Sequence, residues 1–456
     1  MLINRLDNVE VDLTDGHKYA IKDIPLGENI IKYGNPIGHA TADIKKGEHV
    51  HTHNMKTNLS GVIEYTYTPF EASKPTANDI PTFMGFLREN GDVGIRNDIF
   101  IVNTVGCVNK VAERLAALSG AVAFTHPFGC SQLGDDQEIT QLILRGIVNH
   151  PNAGGVLVLG LGCENNNIGE FKKVLGEYDE RRVKFLNCQD FENEIEEGCK
   201  LIESLKEYAN SFPRMPVPVS KLRIGLKCGG SDGYSGITAN PLVGRFSDKL
   251  IDLGGSCVLT EVPEMFGAEH LLMARAESED VFLRTVDLIN DFKAYYERHD
   301  QVIYENPSPG NKKGGITTLE EKSLGCVQKA GSRAVVDVLN YGDTVRKNGL
   351  SLLNGPGNDI VAITNLFAAG CHAILFTTGR GTPVGSGVPT VKIATNRPLA
   401  EKKAAWIDFD ASPVLEGQDL TDALFAYVLA VAEGQETANE RQGYKEISIF
   451  KDGVTL

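Results

Sequence analysis

The sequence predicts an α/β protein, with a small N-terminal all-β module followed by two α/β domains with mainly parallel sheets. Three observations carry this. Up to residue 70 the apolar pieces are short and broken by turns. From residue 99 strand-length apolar runs alternate with longer amphipathic runs, the rhythm of a parallel sheet with crossover helices. Two Pro-rich segments, 71–82 and 212–220, read as linkers. The expected division is a β module at 1–70, a first α/β domain at 83–211 and a second, Rossmann-like domain at 221–456.

In the module, VEVDL, KYAIKDI, NIIKYGNPIG, EHVHTHN and GVIEYTY are short strands separated by glycine turns. IFIVNTVG (99–106) reads as a buried strand, and VNKVAERLAALSG as a helix stopped at Gly120. AVAFTH, a helix at about 136–150, GVLVLGLG (155–162) and RVKFLN (182–187) continue the alternation. It restarts with LRIGL (222–226), a helix near 242–253 and SCVLTEV, with further helices to about 299. A helix at 359–369, HAILFTT, TVKIAT and a helix near 419–433 follow. The stretch 306–325 fits neither period and reads as a long irregular loop, a feature that is usually functional or disordered.

Composition narrows the partners. The 456 residues carry 45 basic and 60 acidic side chains, a net charge of −15, with no basic run. Nucleic acid and anionic membranes are therefore not expected partners. No stretch of 18 apolar residues and no signal-peptide pattern is present. Nine cysteines without a secretory context predict reduced thiols and a cytoplasmic protein. A homo-oligomer is left open.

Five cysteines fall at predicted strand ends: Cys107 after IFIVNTVG, Cys130 in HPFGC, Cys163 after GVLVLGLG, Cys188 after VKFL and Cys228 after LRIGL. In open α/β sheets ligands bind at that edge. A single cysteine is most simply a small buried hydrophobe, but the repeated setting in VGC, FGC, LGC and KCGG argues for a set. No CxxC pair supports a zinc knuckle. Thiolates from separate strands suit iron, as a single ion or an iron–sulfur cluster. Cys107, Cys130, Cys163 and Cys228 are the metal candidates, with Glu164 beside them; Cys188, Cys199, Cys257, Cys326 and Cys371 read as core. His49, His51 and His53 alternate, so on a strand they would share a face able to take a divalent ion or simply face water.

Two loops offer anion contacts. NPSPGNKKGG supplies Lys312 and Lys313; TTGRGTP supplies Thr378 and Arg380, the latter suited to a carboxylate. Neither matches GxxxxGK[ST], and CGGSDG does not give a dinucleotide fingerprint. A grip on a carboxylate and hydroxyls fits these loops better than a phosphate cradle.

Nearly the whole chain resembles the altronate/galactarate dehydratase family. The stretches that carry this include GHKYAIKDI, GEHVHTHN, TVGCVN, FGCSQLGDD, GLGCENN, CGGSDGYSGITANP, TEVPEMFGAEHLLM, NPSPGNKKGG, TTGRGTP and the C-terminal FKDGVTL. Several of them are shared with sulfolactate sulfo-lyases; HVHTHN, GCSQLGDD and VPEMFGAE resemble the altronate branch. The N-terminal module resembles the SAF (β-clip) domain. The resemblance implies dehydration of D-altronate to 2-dehydro-3-deoxy-D-gluconate in hexuronate catabolism, with Fe2+ as cofactor and Mn2+ as a substitute.

That reaction removes a C2 proton and expels the C3 hydroxyl. A chelating metal would stabilise the enediolate, and a base must reach C2. His17 and Lys18, in the GHK turn shared across the wider family, are the first candidates, followed by His126 and Tyr234. Arg380, Lys312 and Lys313 are expected on the carboxylate, Ser231, Asp232, Ser235 and Asn240 on the substrate hydroxyls, and Thr378 also on the substrate. For Asp232 the competing reading is an Asx-turn. Galactarate or another sugar acid is the alternative substrate, and a non-catalytic sugar-acid or metal-binding protein the alternative of another class.

Overall fold

The computed structural model describes residues 1–71 and 79–453. Most of the expected 71–82 linker, and the last three residues of FKDGVTL, lie outside the described residues.

The module is built from short antiparallel strands. Val9–Val11 pairs with Lys18–Ala20, and Asn29–Lys32, Asn35–Ala40 and Met55–Lys56 form a second sheet. HVHTHN is not the expected strand. His49 alone makes a bridge, to Tyr19, and 51–54 turn back on themselves, with the His51 N–H donating to Asn54 Oδ1. GVIEYTY, too, is in no strand; Tyr65 instead donates its hydroxyl to Glu269 Oε1 at 2.5 Å.

The first α/β domain holds a parallel sheet ordered Val183–Asn187, Ala153–Gly160, Asp98–Asn103, Val122–Phe124. The expected linker 212–220 contains a strand, Arg214–Pro218, antiparallel to Thr82–Leu87. Its prolines lack N–H groups, yet it sits at a sheet edge and pairs on one side only, where prolines are tolerated.

The last domain is a seven-stranded parallel sheet. Its order is Val335–Leu339, Gly349–Leu353, Ser256–Leu259, Arg223–Cys228, Ala373–Thr378, Thr390–Ala394, Phe409–Asp410. The central strands are apolar and buried on both faces, as a sheet covered by helices on two sides requires. Arg223–Cys228 is first in the chain but central in the sheet, so connections leave it in opposite directions. The loops after it and after Ala373–Thr378 therefore part at a topological switch point, where such sheets bind ligands. The 306–325 stretch is more regular than expected, holding helices Pro309–Lys313 and Leu319–Cys326. Among the described residues, no helix is long and apolar enough to cross a membrane.

The two α/β domains share a core in which Phe100, Phe124 and Phe367 meet edge to face with centroids 5.0–5.8 Å apart. His150 seals this contact. Its Nε2–H donates to the Cys371 carbonyl at 3.1 Å, its Nδ1 accepts from Asn152 N, and its ring sits against Phe367. Burial, with Arg223 nearby, lowers its pKa from 6.5 to about 3. An unfolded imidazole binds a proton near pH 6.5 and the folded one does not until near 3, so the unfolded state gains protons in between. Stability is full above pH 6.5 and falls on acidification; by pH 4 this residue alone should cost about 3 kcal/mol. Thermal unfolding between pH 7 and 4 checks this. His150→Gln should flatten the acid slope.

Candidate active site

Strand Arg223–Cys228 ends in the loop CGGSDG, and a cavity of about 800 Å³ opens there. Its floor holds Cys228 and Glu264, its walls Asn306–Pro309, Asn311, Lys312 and Lys322, and its rim Asp359 and Thr382–Val384.

Under this cavity lies a buried ionic cluster. Cys228 Sγ is 3.0 Å from Glu264 Oε2 and 3.3 Å from Cys326 Sγ, and Lys329 Nζ donates to it at 2.9 Å. Lys322 Nζ pairs with Glu264 Oε1 at 2.8 Å and donates to Asn306 Oδ1 at 3.1 Å. Lys227 Nζ lies 2.7 Å from both Glu261 and Asp359. The hydrogen bond with Cys326 pulls the Cys228 thiol down to about 7; burial opposes this, and Lys329 and Lys227 assist it. Burial opposes ionisation of Glu264 as well, but Lys322, Lys227 and Lys329 outweigh it and hold the carboxyl well below the usual range. Buried charges persist only with such pairing.

Helix Leu319–Cys326 links this cluster to the module. Lys322 and Cys326, four residues apart, share a face toward the cavity floor. On the same helix Glu321 receives Lys18 Nζ at 2.8 Å and Lys32 Nζ at 2.7 Å, all three side chains being at most 2 % exposed. Burial lowers the Lys18 pKa to about 8 against the pull of Glu321. Lys18 thus fastens the module to the body, and its Nζ also donates to the Gly315 carbonyl.

Beside it the module gathers four imidazoles. His17 Nδ1 is 3.0 Å from His49 Nε2, and the His49 ring lies 5.3 and 5.7 Å from those of His51 and His53. His51 Nε2–H donates to the Lys312 carbonyl at 2.9 Å, touching the loop that walls the cavity. Burial and the neighbouring imidazoles lower His49 to about 4.

Of the other residues singled out from the sequence, Ser231, Asp232, Ser235 and Asn240 gather around a small cleft that Lys322 and Cys326 also line, and the rest are dispersed. Lys312 lines the cavity; Arg380 packs over Gly310 of the adjoining loop; Lys313 is exposed. Asp232 accepts from Ser235 Oγ, Thr395 Oγ1, Asn396 Nδ2 and Tyr234 N, so it knots its own loop to a neighbour. Asn240 bridges the Gly325 carbonyl and Thr377, Ser231 offers its carbonyl to Asn311, and Thr378 Oγ1 accepts from Gly381 N. These polar side chains brace the cavity from behind. Tyr234 donates to the Leu13 carbonyl. His126 is buried in the first α/β domain with both ring nitrogens on backbone groups. Cys107, Cys130 and Cys163 are exposed in that domain, whereas Cys228 is buried with Cys326, so the four do not form one set. Glu164 accepts from Thr104 Oγ1, Leu161 N and Gly162 N, so both of its oxygens are engaged within the loop.

Sequence reasoning missed Cys326, Glu264, Lys322 and Lys329. The i, i+4 pair in KSLGC was a signal for two of them; Glu264 stood unassigned in TEVPEMFGAE.

The chain matches three family descriptions: residues 4–58 "Altronate/galactarate dehydratase SAF domain", 85–210 "D-galactarate dehydratase/Altronate hydrolase, second domain", and 219–455 "D-galactarate/Altronate dehydratase, C-terminal". It is 54% identical to an altronate dehydratase of Bacillus subtilis over 98% of this chain and 93% of the relative. It is 51% identical to an altronate dehydratase of Escherichia coli over 99% and 94%. A galactarate dehydratase (L-threo-forming) of Escherichia coli is 32% identical over 96% and 90%. With all three domains matched in order and relatives aligned end to end, the chain belongs to the altronate/galactarate dehydratase family.

Proposed function

We propose that this protein is a hydro-lyase that converts D-altronate to 2-dehydro-3-deoxy-D-gluconate in the cytoplasm. The observation that carries the substrate is identity above one half, over nearly the full chain, to two altronate dehydratases. The nine free cysteines support the compartment.

The cavity suits a hydroxylated carboxylate. Lys312 and Lys322 supply positive charge for C1, and Asn306, Ser308 and the loop amides offer hydrogen bonds to hydroxyls. Lys322 stays protonated: burial works against the charge, but Glu264 and the two thiols outweigh it and raise its pKa. Iron is the proposed cofactor, and the ligand atoms of Cys228, Glu264 and Cys326 fit it, lying within 4.8 Å of one another as two sulfurs and one carboxylate oxygen. When bound there it would supply Lewis-acid stabilisation of charge developing on the substrate carboxylate. His17 is the proposed acceptor of the C2 proton. It is half-buried, its Nδ1 is held by a His49 kept neutral, and its backbone lies against Gly315 of the cavity-wall loop. Loss of the C2 proton and the C3 hydroxide leaves an enol, which tautomerises to the 2-keto acid.

Lys312→Ala should raise KM for D-altronate about tenfold or more with a smaller change in kcat, since a partly exposed ammonium acts chiefly in binding. Steady-state kinetics check this; a loss confined to kcat would place Lys312 elsewhere in the mechanism.

A further inference from the structure

Free cysteine is among the most buried residue types, yet three thiols of this chain, Cys107, Cys130 and Cys163, are exposed. They follow the carboxyl ends of three adjacent parallel strands: Asp98–Asn103 in the middle, Val122–Phe124 on one side and Ala153–Gly160 on the other. Each comes directly after a glycine.

The loops are stitched to one another. Gly106 N donates to the Phe128 carbonyl at 2.9 Å, and Asn166 N donates to the Gly129 carbonyl at 2.9 Å. Ser131 N donates to Asn165 Oδ1 at 2.8 Å, and Asn166 Nδ2 to the Thr104 carbonyl at 3.0 Å. Gly129 has φ +98°, and a Cβ there would stand 2.0 Å from the Thr104 carbonyl oxygen, so only glycine lets the Cys130 loop approach the Cys107 loop this closely. Glu164 clamps the third loop, tying Leu161 and Gly162 to Thr104. The backbone is thus built to bring three thiols to one open edge.

Donor chemistry narrows the ligand. The other metal-ligating side chains at this edge are engaged or turned inward: Glu164 in the clamp, His126 on backbone groups, and Cys188, half-buried after the neighbouring strand Val183–Asn187, against the apolar core of this domain. A closed structural zinc site needs a fourth protein donor of that kind. An all-sulfur set of three, open on its outer side, suits a cuboidal iron–sulfur cluster with three irons each held by one thiolate and the fourth facing outward. Gln189 Nε2 lies 3.6 Å from Cys163 Sγ and could donate to the ligating sulfur.

We propose that Cys107, Cys130 and Cys163 hold an iron–sulfur cluster at the carboxyl edge of the second domain's sheet, separate from the Cys228–Cys326 site. Ligation releases the three thiol protons, and ferrous iron, ferric iron and sulfide come from outside the chain in the ratio 1:1:2, so the cluster forms in its oxidised 2+ state with no further oxidant. The proposal does not depend on which sugar acid is the substrate.

The test is anaerobic purification of the full chain, reconstitution with equal ferrous and ferric iron plus sulfide, then iron and acid-labile sulfide analysis with visible and electron paramagnetic resonance spectra. Wild type should retain both elements in comparable amounts, with broad visible absorption and a signal on one-electron reduction. Cys107→Ser, Cys130→Ser and Cys163→Ser should each lose most of the sulfide while keeping the wild-type melting temperature, whereas Cys199→Ser and Cys228→Ser should retain it. Reconstituted wild type that holds no sulfide, zinc bound in its place, or full sulfide retention in the triple serine variant would each overturn the proposal.

Discussion

Cys228→Ser should lower kcat/KM for D-altronate by at least about 100-fold, beyond what losing a residue that merely supports a ligand costs. The thiol is the meeting point of Cys326, Glu264 and Lys329 on the cavity floor. Its pKa near 7 lets it carry negative charge where a serine hydroxyl cannot. Lys329 is then left facing a neutral group, with Cys326 and Glu264 as its remaining compensation, so a stability loss of about 1–3 kcal/mol should accompany the loss of activity. Iron bound by the anaerobic protein should fall in parallel. Wild-type turnover in a folded Cys228→Ser protein would remove this cluster from the reaction.

Glu321→Ala should be the most destabilising single change, costing about 3–5 kcal/mol, because it strands Lys18 and Lys32 as buried unpaired ammonium groups. Both lysines belong to the N-terminal module, while Glu321 sits on the helix that carries Lys322 and Cys326. Loosening this joint should therefore reduce turnover although none of the three lines the cavity. A Lys18→Met, Lys32→Met, Glu321→Met triple variant should recover much of the stability, since well-packed apolar groups often replace a buried ion network at little cost. Thermal unfolding of the two variants measures this. Equal melting temperatures for Glu321→Ala and wild type would mean that the triad does not fasten the module.

Those two residues also mark where sequence reasoning reaches and where it stops. The strand before Cys228 was legible because a buried parallel strand is a continuous apolar run, and its glycine-rich sequel marked a functional loop. The same reasoning read 212–220 as a linker, because Pro216 and Pro218 look like breakers unless the strand is known to lie at an edge. It took 306–325 as irregular, since the helices there are short and Leu319–Cys326 is buried on every side and shows no amphipathic period. Cys326 therefore reads as core in the sequence, although it lies 3.3 Å from Cys228. Lys18 was legible as important but not as an ion-pair partner, because its carboxylate is 303 residues away. The alternation in HVHTH did mark an imidazole cluster, though a turn and not a strand face assembles it.

Proton NMR in deuterated water reads the dehydration of D-altronate directly. Iron-supplemented, anaerobic protein should convert D-altronate to a single 2-keto-3-deoxy acid, with loss of the C2 proton signal and a new one-proton C3 signal, since the enol takes its second C3 hydron from the deuterated solvent, and should turn over galactarate far more slowly. Galactarate consumed at the same rate or faster, or D-altronate left unchanged by a folded, iron-loaded protein, would mean that the enzyme is not an altronate dehydratase.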